Sequence, residues 1–171
     1  TKTHRNGFSS IFFADRKNNT VTQLTDNMTS EWEPQFTPDG RYLVFLSNRD
    51  YNLVQSSYEF NYLYHQATRV YAAQVNDSVP ALYPFQNDTI AEDKTPSDAT
   101  PAFQLQLEGL NQRVIALPGE AGDYSNLQAT DSAVFVNFSK NGKNQLQRID
   151  LSKQDAPTTV AEGIGTFTLS H

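Results

Sequence analysis

The chain has three histidines, at positions 4, 65 and 171, and these are its candidate bases for acid–base or nucleophilic catalysis. A serine hydroxyl needs an adjacent base, usually His, before it can attack a carbonyl. The sequence has no Gly-x-Ser-x-Gly elbow, no His-Glu-x-x-His pair and no Gly-rich phosphate loop. His4 and His171 lie at the ends of the chain, where we expect solvated side chains. We therefore predict that this segment carries no catalytic residue.

Metal and cofactor chemistry is equally poorly supported by the residue types. The chain has no cysteine, so a thiolate metal site and a disulfide framework are both excluded. A calcium loop needs Asp or Asn at alternate positions, and the acidic run from Asp77 through Asp88 to Asp98 lacks that spacing. We predict no metal site and no cofactor.

Aromatic residues are concentrated between positions 51 and 65. Tyr58, Tyr62, Tyr64 and His65 could form a docking surface for a peptide, a glycan or a neighbouring domain, because tyrosine combines a large apolar area with a polar tip. Alternatively, the alternating Tyr58, Phe60, Tyr62 and Tyr64 form one face of an extra strand that packs on its own sheet. For the single tryptophan, Trp32, we expect packing in the core between structural repeats.

Short β-branched or aromatic runs separated by Gly, Pro, Asn and Asp make up the rest of the chain, and no window shows a sustained helical stripe. This pattern predicts an all-β fold. The predicted strands are Ser10–Asp15, Val21–Leu24, Pro34–Thr37, Tyr42–Ser47, Arg69–Val75, Phe103–Leu107, Arg113–Leu117, Asn126–Ala129, Ala133–Phe138, Gln145–Leu151, Thr158–Ala161 and Thr166–Leu169.

Two internal repeats indicate which all-β fold is present, a sandwich, a barrel or a propeller. Asn6-Gly7 followed by Asp15 matches Asn141-Gly142 followed by Asp150, and both Asn-Gly pairs predict a type I′ hairpin turn. Gln35-Phe36-Thr37 matches Asn126-Leu127-Gln128, and a third partial copy starts near Thr166. A period of about forty residues with four strands per unit is typical of propeller blades.

We therefore predict blades of four antiparallel strands in an incomplete ring. Residues 1–33 would end one blade, 34–124 would form a blade with insertions at 50–68 and 76–100, 125–163 would form another, and 164–171 would start the next. The chain begins without an initiator Met and stops where another Pro-Asp-Gly turn is expected, so we expect it to be part of a larger domain. Two or three blades cannot close a ring on their own.

The run from Pro34 to Asp50, which contains Pro38-Asp39-Gly40, resembles the Pro-Asp-Gly, WD40-like repeat of TolB-type and tricorn-type propellers. Leu24-Thr25-Asp26 is similar to the Leu-Thr-Asp that closes a preceding blade in those families. The passage from Phe103 to Pro118, followed by Gly122-Asp123-Tyr124, is similar to the C-terminal blades of the second propeller of tricorn-type serine peptidases. The run Pro118-Gly119-Glu120-Ala121 departs from the Pro-Val-Pro run of that family.

The resemblance implies a non-catalytic propeller segment that scaffolds a serine peptidase core and gates the passage of peptides or unfolded chains. The peptidase and PDZ domains of the same polypeptide would be its partners. The resemblance leaves open whether the protein forms a homo-oligomer. One alternative is a TolB-like periplasmic propeller acting as a protein-interaction module. Another is the propeller lid of a prolyl-oligopeptidase-type hydrolase.

Charge excludes two further classes of partner. Thirteen Lys and Arg against nineteen Asp and Glu give a net charge of −6, which disfavours binding to nucleic acid or to an anionic membrane surface. No apolar run approaches the roughly 20 residues of a membrane span. The sequence does not distinguish bacterial cytoplasm from periplasm.

Overall fold

The computed structural model describes residues 1–50, 53–55, 62–64, 67–83 and 103–170. Regular structure in these ranges is all strand apart from one 3₁₀ turn at Leu110–Arg113, which confirms the all-β prediction. The strands are β1 (Lys2–Thr3), β2 (Ser9–Ser10), β3 (Phe12–Asp15), β4 (Thr20–Gln23), β5 (Glu31–Phe36), β6 (Tyr42–Ser47), β7 (Leu53–Gln55), β8 (Tyr62–Tyr64), β9 (Arg69–Gln74), β10 (Val114–Ala116), β11 (Asp123–Ala129), β12 (Ala133–Lys140), β13 (Lys143–Asp150) and β14 (Thr158–Glu162).

Two four-stranded antiparallel sheets dominate the described structure. The first sheet has the order β10-β9-β6-β5 and the second sheet has the order β11-β12-β13-β14. The pairs β1–β2, β3–β4 and β7–β8 each form a separate two-stranded sheet. Four-stranded antiparallel sheets of this kind confirm the prediction of propeller blades in an incomplete ring.

Strand β6 is buried along its whole length because apolar groups cover both faces of the first sheet. Val44 and Leu46 belong to a core shared with β12 of the second sheet, and the half-buried Trp32 packs against that core as expected. On the opposite face, Phe45 packs with Ile11 of the N-terminal segment. The first sheet therefore lies between two hydrophobic cores, which explains the continuous apolar run of β6.

The repeat that relates the N-terminal hairpin to the second sheet recurs in the turn geometry. Asp15 Oδ1 accepts the backbone N–H of Lys17 at 2.8 Å, and Asp150 Oδ1 accepts that of Ser152 at 2.8 Å. Each aspartate thus ends a strand and fixes the turn that follows it. Hydrogen bonds from Ser152 lower the pKa of Asp150 to about 2.

The predicted type I′ turn is right at one Asn-Gly pair and wrong at the other. Asn141 and Gly142, between β12 and β13, have φ of 53° and 76°, as a type I′ turn requires. At the other pair only Gly7 has positive φ, because a longer loop is closed by a hydrogen bond from His4 N–H to Phe8 O at 2.7 Å.

Two predicted strands are wrong. Phe103–Leu107 makes one backbone hydrogen bond to the sheet region, from Gln106 N–H to Val75 O at 2.8 Å, and has no ladder. Thr166–Leu169 is held by side-chain amides of β11 instead of by backbone pairing. Both segments carry strand-forming residues but have no backbone ladder within the described residues, because propensity alone does not make a sheet.

Candidate functional site

The predicted docking residues lie in the insertion between β6 and β9. Strands β7 and β8 pair antiparallel there, with Leu53 opposite Tyr64 and Gln55 opposite Tyr62. Tyr62 and Tyr64 therefore lie on the returning strand of a hairpin, while Tyr58 and His65 lie outside the described residues. The docking surface stays a prediction.

Arg69 anchors the base of this insertion. Its Nη1 lies 3.3 Å from Asp50 Oδ2, and its Nη2 donates to Gly119 O at 2.9 Å. One guanidinium thus joins both ends of the insertion to the connection between β10 and β11. A forked donor of this type fixes the relative positions of its acceptors.

A buried carboxylate, Glu31, lies at the start of β5 and was missed by sequence reasoning. Its side chain is fully buried, and it accepts from the Thr25 hydroxyl at 3.0 Å and the Thr29 hydroxyl at 2.5 Å. Glu31 Oε1 also accepts hydrogen bonds from the Ser47 hydroxyl at 3.1 Å and from Arg49 Nη2 at 3.2 Å. A buried charge is tolerated when paired and hydrogen-bonded in this way. Because both oxygens accept hydrogen bonds from neighbouring side chains, Glu31 is a structural group.

Arg49 contacts two neighbouring rings as well as Glu31. Its guanidinium carbon lies 5.3 Å from the centre of Phe45 and 5.1 Å from the centre of Tyr71. Contacts of this geometry stabilise a cation over an aromatic face. Burial raises the pKa of the Tyr71 hydroxyl, so this ring stays neutral at physiological pH. A signal for the cluster was present in the sequence, as hydroxyl residues flanking an acidic residue just before a strand.

His4 corrects the expectation of a solvated side chain. It is half-buried, and its Nε2 lies 2.9 Å from the hydroxyl of the fully buried Ser10. A serine and a histidine at this distance resemble a nucleophile and its base. The Ser10 hydroxyl, however, donates to Asp26 O at 2.6 Å, so the His4 ring must be the donor in their contact. The pair therefore holds the N-terminal segment together and leaves the serine unactivated.

Strands β5 and β11 are the inner strands, the edge strands at which the two sheets meet. Each contains a β-bulge, and the residue inside each bulge has positive φ, 50° at Glu33 and 55° at Asn126. Gln35 and Gln128 follow two residues later in the two strands. The registers therefore make Gln35 and Gln128 equivalent, which shifts this strand by two residues from the sequence match.

The inner strands are joined by side chains that reach across to backbone. Glu33 Oε2 accepts from Leu127 N–H at 2.8 Å, and Gln35 Oε1 accepts from Ala129 N–H at 3.0 Å. The equivalent Gln128 Oε1 accepts from Leu169 N–H at 2.8 Å. The same contact thus recurs at the next step of the repeat. We call this series of contacts the inner-strand ladder.

The Pro-Asp-Gly turn makes a second link between the sheets. Asp39 N–H donates to Asp131 Oδ1 at 2.7 Å, which ties the turn after β5 to the turn after β11. Burial by itself raises the pKa of Asp39, but hydrogen bonds from the Thr37 hydroxyl and from Arg41 outweigh it, and the pKa is lowered. Asp39 is therefore an ionised structural carboxylate at neutral pH.

A cavity of about 360 Å³ opens between the two sheets beside this link, with Arg41, Tyr42, Tyr83 and Asp131 among its lining residues. The Tyr83 hydroxyl donates to Asp150 O at 2.6 Å. Burial and the neighbouring Asp150 charge raise the pKa of Tyr83 to about 12. The cavity presents a cation, a carboxylate and two neutral phenols but no nucleophile beside a base.

Two features are absent from the residues that the structure describes, a cluster of metal ligands and a helix able to span a membrane. No group of three or more His, Cys, Asp or Glu side chains there could hold a metal ion. Within the same residues, no helix has the length and apolar character needed to cross a bilayer.

Comparison with known proteins gives one family match and several relatives. Residues 3–59 match the family described as the N-terminal domain of the acylamino-acid-releasing enzyme. Tricorn protease homolog 1 of Streptomyces coelicolor is 29% identical over 121 residues, covering 67% of this chain. A protein of Sulfurisphaera tokodaii named as a tricorn-like protease C-terminal subunit is 29% identical over 117 residues, covering 68%.

The solved crystal structure of the tricorn protease matches 94% of this chain with a TM-score of 0.67 at 16% identity, which shows the shared fold. The chain spans 11% and 12% of the two curated relatives and 16% of the solved structure. It is therefore a segment of a larger polypeptide. Together, the curated relatives and the solved structure show that the chain is similar to a segment of tricorn-type proteases and shares the fold of part of the tricorn protease.

Proposed function

We propose that this chain is a non-catalytic part of the second propeller of a tricorn-like serine peptidase, where it scaffolds the peptidase core and gates the access of peptides. The inner-strand ladder is the observation that carries the proposal. Gln35 and Gln128 hold successive inner strands side by side by the same contact. Repetition of this step places inner strands around a central channel, as in a closed propeller.

Steric exclusion by such a channel would admit unfolded chains and short peptides and reject folded proteins. No specific side-chain recognition is needed for that selection. The described residues are consistent with a passive role, because Ser10 and His4 are the nearest approach to a nucleophile and base and their protons are committed to structural hydrogen bonds. Catalysis would then reside elsewhere in the polypeptide.

Gating is tested in the full-length protein with Gln35→Trp, which adds bulk to an exposed position of an inner strand. We expect slower cleavage of a long unfolded peptide and unchanged cleavage of a short chromogenic peptide. Val21→Trp is the matched control, since Val21 is 70% exposed on the outer hairpin β3–β4. Equal effects of the two variants, or equal slowing of both substrates, would refute gating at the inner strands.

The scaffolding role is tested by comparing the 171-residue chain with the full-length protein. The chain alone should be inert in a peptidase assay, and the full-length protein should be active. Peptidase activity in the isolated chain would contradict the proposal.

We further propose that Tyr58, Tyr62, Tyr64 and His65 form a docking surface. The position of Tyr62 and Tyr64 on the returning strand of an inserted hairpin supports this role. Changing both tyrosines to serine should then weaken binding of peptide without lowering the melting temperature. A lower melting temperature with unchanged binding or proteolysis would show instead that the two rings pack on their own sheet.

A second candidate function follows from the family match at residues 3–59. The propeller would then cover an α/β-hydrolase domain of the prolyl-oligopeptidase type. The two candidates differ in what the gene encodes after residue 171. A PDZ-like module and a peptidase core would support the first, and an α/β-hydrolase domain would support the second.

A further inference from the structure

Two Asn-Gly pairs lie in exposed turns of the chain, at Asn6-Gly7 and at Asn141-Gly142. Each asparagine follows a basic residue, and a Cβ added at either glycine would meet no atom within 4 Å. In an Asn-Gly pair the backbone nitrogen of glycine can reach the side-chain carbonyl carbon of the asparagine, because glycine has no Cβ to hinder the approach. By sequence and exposure, the two pairs are therefore equally suited to deamidation by this route.

Deamidation of such a pair needs only water as a co-reactant. The glycine nitrogen gives its proton to solvent base and forms a bond to the asparagine Cγ, the Cγ–Nδ2 bond breaks, and ammonia leaves behind a cyclic imide. Water then opens the imide at either carbonyl, which gives aspartate or isoaspartate. A glycine N–H that already donates a hydrogen bond must give up that bond before the nitrogen can react.

Hydrogen bonds hold every reacting group of the first pair. Asn6 Nδ2 donates to Asn27 O at 3.0 Å, and Asn6 Oδ1 accepts from Phe8 N–H at 3.2 Å. Gly7 N–H, which carries the attacking nitrogen, donates to His4 O at 3.1 Å. Attack at Asn6 thus requires all three hydrogen bonds to open, and each of them opposes the reaction.

The reacting groups of the second pair are not held in this way. Among the described residues, neither the Asn141 side chain nor the Gly142 N–H makes a hydrogen bond. The flanking Lys140 and Lys143 pair with each other across the hairpin, and a type I′ turn leaves its two central residues outside that pairing. Both the nitrogen and the carbonyl carbon at this turn are therefore accessible.

The chain that leads to the next repeat runs away from this turn. Gly163 N–H donates to Asn144 O at 2.8 Å, so the connection crosses the sheet three residues below Asn141. Further along, Leu169 N–H donates to Gln128 Oε1 at 2.8 Å, beside the inner strand β11. By register, the insertion of the first sheet starts at the position equivalent to this turn, so this end of a sheet has room for additional chain. A following sheet therefore leaves Asn141 exposed.

We propose that Asn141 is a site of spontaneous deamidation and that the hydrogen bonds around Asn6 protect the other Asn-Gly pair. The product carries a carboxylate in the turn between Lys140 and Lys143. Isoaspartate also adds one methylene to the main chain, which a two-residue turn cannot absorb without loss of its type I′ geometry. This modification is independent of the proposed gating role, because it depends only on the local structure of the turn.

The test follows both pairs in the full-length native protein, kept at mildly alkaline pH and sampled over time. Each sample is unfolded, cleaved with an endoproteinase specific for the bond before aspartate, and read by mass spectrometry. Aspartate at position 141 creates a new cleavage site, whereas isoaspartate changes the mass without creating one, so the two products are counted separately. We expect deamidation to be about tenfold faster at Asn141 than at Asn6.

Two controls separate structure from sequence. In urea the hydrogen bonds around Asn6 are lost, so the two pairs should react at nearly equal rates. Asn141→Gln, whose longer side chain needs a less favoured larger ring, should stay unmodified at this position in the native protein. Equal native rates at the two pairs, a faster reaction at Asn6, or an Asn141 that reacts in urea but not in the native protein would overturn the proposal.

Discussion

The two four-stranded sheets place opposite chemistry at equivalent positions. At one cross-strand pair the first sheet has Glu31 opposite Ser47, and the second sheet has Tyr124 opposite Phe138. The polar pair is part of a fully hydrogen-bonded cluster, while the two rings contact each other with centres 4.8 Å apart. The same backbone register thus supports a buried polar pair in one repeat and an aromatic pair in the other.

The residue two positions before this pair changes with it. Thr29 precedes Glu31 and donates its hydroxyl to the carboxylate. Gly122 precedes Tyr124, and a Cβ there would lie 2.3 Å from Phe138 Cε2. A hydroxyl completes the polar cluster, and the absence of a side chain makes room for the ring. Each position is therefore matched to its own pair, and exchange of single residues between the sheets should be costly.

The largest expected effect comes from breaking the polar pair. Glu31→Ala should lower the free energy of unfolding by about 3–5 kcal/mol, because Arg49 and three hydroxyls lose their shared acceptor in a buried site. Urea unfolding of the 171-residue chain measures the change. Glu162→Ala, at an exposed position of β14, is the control and should stay within about 0.5 kcal/mol of wild type. A similar small loss for both would show that the cluster around Glu31 adds no stability.

The aromatic pair is tested by adding a methyl group at Gly122, next to Phe138. Gly122→Ala should cost about 1–3 kcal/mol, because the added methyl collides with Phe138 and the chain at Gly122 is fixed by a hydrogen bond to Thr68 O at 3.1 Å. Gly165→Ala is the matched control, since its added Cβ would meet no atom within 4 Å. The melting temperatures of both variants measure the effect. An unchanged melting temperature for Gly122→Ala would mean that the Phe138 ring moves aside without loss of stability.

The aromatic pair also makes the second sheet sensitive to alkali. Burial raises the pKa of Tyr124 above its ordinary value of 10. The stability that depends on its neutral hydroxyl is therefore fully present below pH 10 and is lost as the pH rises from there toward the folded-state pKa, at about 1 kcal/mol per pH unit. Tyr124→Phe removes this loss. The urea midpoint of the variant should therefore rise relative to that of wild type as the pH increases from 8 to 11. A constant gap across that range would contradict it.

The strong local signals in the sequence predicted much of the fold. The apolar run from Tyr42 to Ser47 predicted a central strand, and Asn141-Gly142 predicted a two-residue hairpin turn, because backbone conformation at those positions is decided by neighbouring residues. The match of Gln35 with Asn126 was off by two residues. The turn after β11 is two residues shorter than the Pro-Asp-Gly turn. The longer turn is closed by a hydrogen bond from Thr37 N–H to Tyr42 O, and the shorter one by a hydrogen bond from Thr130 N–H to Ala133 O.

That difference of two residues hid the correspondence between the two sheets. Equivalence of Trp32 with Ser125, and of Leu46 with Asn137, follows from strand register and not from a constant offset in sequence. The orientation of the Asn137 amide depends on where Gly165 lies, and that contact joins residues 28 positions apart. Long-range contacts of this kind leave no local pattern in the sequence.

The smallest effect concerns what the two sheets have in common, the inner-strand ladder. Gln35→Ala removes the hydrogen bond from Ala129 N–H. Gln128→Ala removes the hydrogen bond from Leu169 N–H and also the one that the Gln128 amide donates to Phe167 O. Each hydrogen bond should contribute about 0.5–1.5 kcal/mol in urea unfolding. Since these contacts lie at successive steps of the repeat and share no partner atom, the double variant should lose the sum of the two. A double loss well above that sum would mean that the ladder acts as one cooperative unit and that the two sheets cannot be varied independently.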